Sequence, residues 1–206
     1  MIDEMKPCMI DSEMQSDFEK SLDDTLKSLA AMRLLQPGLR DAALKCIDAF
    51  KQGRKLIACG NGGSACQAQH LVGELVGRYK SNRAALPAVA LTADSAVLTC
   101  IGNDYSFEDI FARQIQALGQ PGDVLVAFTT SGRSANVVRA LEVCRKLQLT
   151  SIAFLGKDGG AAAPLADCAL IVPHTDTARV QEAHLFLMHS LMDLIELGVA
   201  HGMERR

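Results

Sequence analysis

The chain has 206 residues, of which 49% are apolar and 22% charged, and its formal net charge is -3. That length and balance fit a single globular domain, residues 1–206, with a substantial core. So small a charge creates no field that would draw the chain to nucleic acid or to an anionic membrane surface, and neither is expected as a partner; an anionic substrate would have to be held by local donors.

The seven cysteines form no C-x-x-C pair, and their number is odd. Most sit among apolar residues, as in Leu-Ile-Ala-Cys59 and Leu-Thr-Cys100, and read as small reduced core residues in a cytosolic protein rather than a disulfide framework. The first twenty residues are acidic and lack a continuous apolar segment, so no secretory leader is expected. No apolar run approaches ~20 residues, so no membrane span is expected either.

From Met14 to Leu35, Phe18, Leu22, Leu26, Leu29 and Ala30 recur at helical spacing. Pro37 suits the first turn of a second helix running to about Lys51 and stopped at Gly53. Lys55-Leu-Ile-Ala-Cys59 is a short apolar run of the buried-strand kind, and it meets the glycine-rich Gly60-Asn61-Gly62-Gly63-Ser64. A helical stretch follows to about Tyr79. The alternation then repeats. Pro87–Leu91 is strand-like, Phe107–Leu118 helical, and Asp123–Phe128 a strand entering Thr129-Thr130-Ser131-Gly132-Arg133-Ser134. Ala135–Leu147 is helical, Ser151–Leu155 a strand, and Cys168–Val172 a strand stopped by Pro173. A long helix spans about Ala178 to Ala200. This order predicts an α/β fold: a doubly wound five-stranded parallel sheet over about 54–173, with extra N-terminal helices (about 14–52) and a long C-terminal helix. The outer helices are apolar enough to cover the sheet and also to pack against sister subunits, and assembly into an oligomer is expected.

Two strand-to-helix loops, Gly60–Ser64 and Thr129–Ser134, combine glycines with small hydroxyls. In a doubly wound sheet both lie at the carboxyl ends of strands, where ligands bind. Free N–H groups at a helix start point at an anion, and glycine lets it come close. A plain tight turn would explain either loop alone; two of like chemistry favour a phosphate site. Gly60–Ser64 is not G-x-G-x-x-G, and neither loop has a P-loop lysine, so a nucleotide is disfavoured. On the helix after the first loop, His70 and Glu74 stand one turn apart on one face, which suits two ligands of a metal, a base beside its partner, or a surface hydrogen-bonded pair. The last helix adds Gln181, Glu182, His184 and His189, with Gln181 and His189 flanking an otherwise apolar face.

Cys59-Gly60-Asn61-Gly62-Gly63-Ser64, Ala68-Gln69-His70, Glu74-Leu75, Gly102-Asn103-Asp104, Thr130-Ser131-Gly132-x-Ser134-Ala135-Asn136, Gly156-Lys157-Asp158-Gly159-Gly160 and Arg179-Val180-Gln181-Glu182-x-His184 together closely resemble phosphoheptose isomerases, members of the sugar isomerase (SIS) domain superfamily, over about residues 15 to 200. The resemblance implies conversion of sedoheptulose 7-phosphate to D-glycero-D-manno-heptose 7-phosphate through an enediol, the start of heptose supply for lipopolysaccharide. It implies a homotetramer with one zinc per subunit. By the same resemblance His70, Glu74, Gln181 and His189 match metal ligands, and Glu74 and His189 the catalytic pair. Asn61, Gly62, Gly63, Ser64, Glu74, Asn103, Asp104, Thr129, Thr130, Ser131, Ser134 and Gln181 match substrate-binding positions. Thr129 stands where members often have serine and keeps the hydroxyl; Ala178 stands where some have aspartate, so any role of that carboxylate is absent here. A rival within the superfamily is a non-catalytic protein that associates with the replication initiator. Such relatives lack the glutamate and histidine pair, which this chain has. Gln181 and His189 are eight residues apart on one predicted helix, about 12 Å along its axis, so one of them is expected to reach the site from a neighbouring chain, making the active sites shared.

Overall fold

The structure, a computed structural model, describes residues 7–203, and the side chains of 11–200 within them. The acidic first residues and the side chains of Cys8 and His201 lie outside the described parts.

Five parallel strands form one sheet: β1 (Leu56–Gly60), β2 (Ala88–Ala90), β3 (Val124–Thr129), β4 (Thr150–Gly156) and β5 (Cys168–Val172). Their order is β2-β1-β3-β4-β5. The chain steps outward from β1 in one direction to β2 and in the other to β3, so a topological switch point lies between β1 and β3. Pairing there runs from Leu56 with Val124 to Gly60 with Phe128. Both strands are buried at every position, as a sheet covered on both faces requires.

The helices are α1 (Pro7–Ala31), α2 (Gln36–Lys51), α3 (Gly63–Val76), α4 (Ser95–Asp104), α5 (Ala112–Leu118), α6 (Ala135–Lys146) and α7 (Thr177–Met203). On one face Leu71 and Leu75 of α3, Ala42 and Cys46 of α2, and Val180, Leu187, Leu191 and Ile195 of α7 pack on Ala58, Val126 and Phe154. On the other, Ile115 of α5 and Val137, Ala140 and Leu141 of α6 pack on Ile57, Leu125 and Ala153. Thus α3 and α6, which follow the two strands at the switch point, leave toward opposite faces. By length and apolar composition α7 could cross a bilayer, but its apolar stripe is spent on the sheet, as in a core helix. Only the buried face is continuous, which is why no unbroken apolar run marks it in the sequence.

Pro37 sits in the first turn of α2, and Gly53, with φ of 70°, ends the turn after it, both as expected. Two expectations fail. The predicted helix over Phe107–Leu118 is a short 3-10 turn, Phe107–Asp109, followed by α5; Asp109 is held by Ser106 Oγ at 2.7 Å and by Arg139 of α6 at 2.7 Å, contacts that bend the segment. Cys100 is exposed rather than in the core, as is Cys66, whereas Cys46, Cys59, Cys144 and Cys168 are buried and free. Burial pushes the Cys46 and Cys144 thiols up to about 12, so both stay protonated and inert.

Candidate active site

Both glycine loops emerge at the switch point, at the carboxyl ends of β1 and β3. In the first, Gly62 adopts φ of 56° and lets the chain turn directly into α3. Ser64 is buried, and its N–H donates to Asn61 O at 3.0 Å. In the second, Thr129 is buried with its Oγ1 3.1 Å from Ser134 Oγ, and the Arg133 N–H donates to Ser131 Oγ at 3.2 Å. Ser134 is the N-cap of α6, yet its hydroxyl makes no capping bond. Among the described residues the Gly63 N–H at the start of α3 and the Ala135 and Asn136 N–H groups at the start of α6 make no hydrogen bond, which leaves them open to an anion. Gly132, with φ of 64°, fits flush against the loop after β4: an added Cβ would lie 1.9 Å from Gly159 O. The Arg133 guanidinium fastens the same two loops through a paired contact with Asp158 at 2.8 and 2.7 Å. That contact holds the Asp158 carboxyl well below the usual carboxylate range.

His70 and Glu74 use their one-turn spacing, with His70 Nε2 3.0 Å from Glu74 Oε1. His189 comes from α7 of the same chain and meets the His70 ring edge-on at 5.1 Å between centroids. One ligand atom from each of His70, Glu74 and His189 lies within 4.8 Å of the others. Expecting either His189 or Gln181 from another chain is thus wrong for His189. Gln181 and His189 do stand about 12 Å apart along α7, but α3 runs alongside α7 and spans that distance itself. Gln181 lies near the start of α3, where a Cβ on Gly63 would stand 2.6 Å from its Nε2, and the Gln67 side chain donates to its carbonyl at 2.7 Å. Gln181 and His70 line one cleft with Cys66 and Gln67.

Several residues not singled out from the sequence hold this arrangement. The Tyr79 ring stacks on His189, 5.8 Å between centroids and 15° from parallel. Arg83 donates to Glu74 O at 2.6 Å and Leu75 O at 2.8 Å, capping the end of α3. Its Nε also donates to Glu196 Oε1 of α7 at 3.1 Å, and both side chains are buried. Burial alone would raise the Glu196 carboxyl, but the Ser81 and Lys80 N–H groups and Arg83 outweigh it and hold it below its ordinary value. The helix with Glu74 and the helix with His189 are thereby clamped together. Asn103 and Asp104 end α4, exposed, with Asn103 Nδ2 donating to Asp104 Oδ1 at 2.8 Å; among the described residues neither bonds to the loops or to the histidines.

A family model described as the SIS domain matches residues 17–156. The phosphoheptose isomerase of Trichlorobacter lovleyi is 48% identical over 187 residues, covering 90% of this chain and 95% of its own. That of Helicobacter pylori is 44% identical over 193 residues, covering 94% and 99%. The chain belongs to the phosphoheptose isomerases of the SIS domain family. The solved phosphoheptose isomerase of Neisseria gonorrhoeae superposes with a TM-score of 0.82 at 39% identity, covering 91% of this chain and 99% of its own.

The donor set fits a catalytic metal. Two imidazoles and one carboxylate, none of them fully buried, are ligands typical of zinc with a coordination position left open. Tetrahedral ligands of one zinc stand about 3.4 Å apart, given bonds of ~2.0–2.2 Å, so small rotamer adjustments would bring the three together.

Proposed function

We propose that the chain converts sedoheptulose 7-phosphate to D-glycero-D-manno-heptose 7-phosphate, supplying heptose for lipopolysaccharide, with Glu74 and His189 as the proton-moving pair. The observation that carries this reading is their convergence beside His70, on a helix whose other end opens at the phosphate loop. His70 follows Gly63 by seven residues, about 10 Å along α3, a length comparable to an open-chain seven-carbon phosphate. In this reading the phosphate lies between Gly62, Gly63 and Ser64 on one side and Thr129, Thr130, Ser131 and Ser134 on the other. It takes N–H groups from the starts of α3 and α6 and hydroxyls from the second loop. The reacting carbons then lie at the carboxylate.

Isomerisation needs one base to carry a proton between C1 and C2 and a second group to move protons among the oxygens and open the ring. Glu74 suits the first role. Its Oε1 faces His70, whereas its Oε2 has no hydrogen-bond partner among the described residues. One oxygen can therefore bind a metal while the other takes the proton. His189, oriented by the Tyr79 ring, suits the second role. His70, Glu74 and His189 would hold one zinc per subunit, and Gln181, whose amide lies at Gly63 about two turns along α3 from His70, would face the substrate in its own chain; when bound, zinc would polarise the carbonyl and stabilise the enediolate.

A homotetramer agrees with the exposed apolar side chains of Met14, Phe18, Leu22 and Leu26 on α1 and Leu185, Phe186 and Leu197 on α7. Asn103 and Asp104, free of the loops in their own chain, would serve a neighbouring subunit's substrate, which keeps the sites shared although Glu74 and His189 act within one chain. A cytoplasmic location follows from the free thiols and the phosphorylated substrate. The convergence of Glu74 and His189 favours the enzyme over the non-catalytic reading. The test is Glu74→Gln, which keeps the shape but cannot take the proton. It should lower kcat by about 10²–10⁴ with the fold intact; turnover like the parent's would remove Glu74 from the reaction.

A further inference from the structure

Asn61 and Asn136 face each other across the switch point. Asn61 lies between β1 and α3; Asn136 is in the first turn of α6, after β3. Asn61 Nδ2 donates to Asn136 Oδ1 at 2.8 Å, and Asn136 Nδ2 donates to Asn61 Oδ1 at 2.9 Å. The two carboxamides form a closed, reciprocal pair. Asn136 is 2% exposed and Asn61 half-buried, so the pair is partly shielded from competing water. Backbone pairing between β1 and β3 stops at Gly60 and Phe128. Beyond that point α3 and α6 diverge to opposite faces of the sheet. Among the described residues no other hydrogen bond joins the Gly60–Ser64 loop to the Thr129–Asn136 segment.

We propose that Asn136 is a positioning residue for the phosphate end of the site. The Asn61–Asn136 pair is the tie that sets the spacing between the two helix starts that receive the phosphate. It also gives Asn61 a different part in binding from the one its loop position suggests. The side chain is turned inward to Asn136, so Asn61 meets the substrate through its backbone, as its glycine neighbours do. The pair contributes nothing at the reacting carbons. Its loss loosens phosphate holding equally in ground and transition states, which raises KM and spares kcat.

The inference rests on the isomerase reading and is tested by a double-mutant cycle on steady-state turnover of sedoheptulose 7-phosphate. Asn136→Ala should raise KM about tenfold with kcat within a factor of about three, as expected for loss of one hydrogen-bonded pair. Asn61→Ala should do the same. The double variant should be no worse than the worse single one, because each substitution already destroys the tie. If Asn136→Ala does not fold, Asn136→Ser, too short to span the gap yet polar, takes its place with the same expectation. A parental KM in the folded Asn136 variant overturns the proposal, as does a fall in kcat at unchanged KM. KM effects that multiply in the double variant also overturn it, since Asn61 would then act on the substrate by itself. If the parent protein fails to turn over this sugar, the isomerase reading fails separately. The same cycle is then read from the dissociation constant of inorganic phosphate by calorimetry, with the same pattern supporting or overturning the tie.

Discussion

His184 is fully buried on α7, among Phe128, Phe154 and the end of β4. Its Nε2 lies 3.1 Å from Leu155 O, a pure acceptor, so Nε2 carries the proton and Nδ1 is bare. Nδ1 has no partner among the described residues, so a proton added there would be buried without an acceptor. Burial accordingly pushes the pKa of His184 down from 6.5 to about 4, against the opposing pull of Leu155 O. The folded state thus resists a proton that the unfolded state takes up below pH 6.5. The stability this neutral histidine permits is full above that pH. It declines as pH falls from 6.5 toward 4 and levels off below. Between pH 7.5 and pH 5 the linkage removes about 2 kcal/mol. Urea unfolding at fixed protein concentration, at both pH values, measures it. His184→Gln can still donate to Leu155 O but takes up no proton, so its loss of stability over that interval should be smaller by about 2 kcal/mol. All other groups are common to both proteins and cancel in the comparison. An unchanged pH dependence in the variant would refute the reasoning.

Ser131→Ala and Ser134→Ala should each raise KM for the sugar phosphate more than they lower kcat, by steady-state kinetics, because phosphate holding is mostly uniform binding; a fall in kcat alone would place these hydroxyls at the reacting carbons. Glu74→Gln and His189→Ala subunits, dissociated and reassembled together, should recover no activity, because both residues belong to one chain's site; recovery would mean that the pair is assembled between chains. Glu196→Ala leaves the Arg83 guanidinium buried with only carbonyl partners and should cost about 3 kcal/mol in chemical denaturation; a loss below about 0.5 kcal/mol, the size of an ordinary surface change, would show that the clamp between α3 and α7 is unimportant.

Local signals carry much of this fold. The alternation of apolar runs with helical periodicity identifies the five strands, and β5 matches its predicted bounds. The one-turn spacing of His70 and Glu74 is enough by itself to put them on one face of a helix. What local pattern does not encode is which distant elements pack together. That α3 and α7 run side by side is a property of the sheet order. It explains why His189 reaches its own chain's Glu74, and why nothing in the local sequence marks Tyr79, Arg83 or Glu196. Helix α4 has no counterpart among the predicted elements although a signal for it is present: Asp94 caps it, accepting from Val97 N at 3.0 Å. Weak helix formers in Val97, Thr99 and Cys100 dilute the periodicity behind that cap. Asn136 stands inside a recognisable motif, but its partner lies 75 residues earlier.

The isomerase reading is tested most directly by incubating the pure protein with sedoheptulose 7-phosphate and following the sugar by NMR. Aldose heptose 7-phosphate signals should appear with no cosubstrate added, and in heavy water deuterium should enter at C2 as the enediol is reprotonated. An unchanged ketose spectrum, from folded protein supplied with zinc, would contradict it.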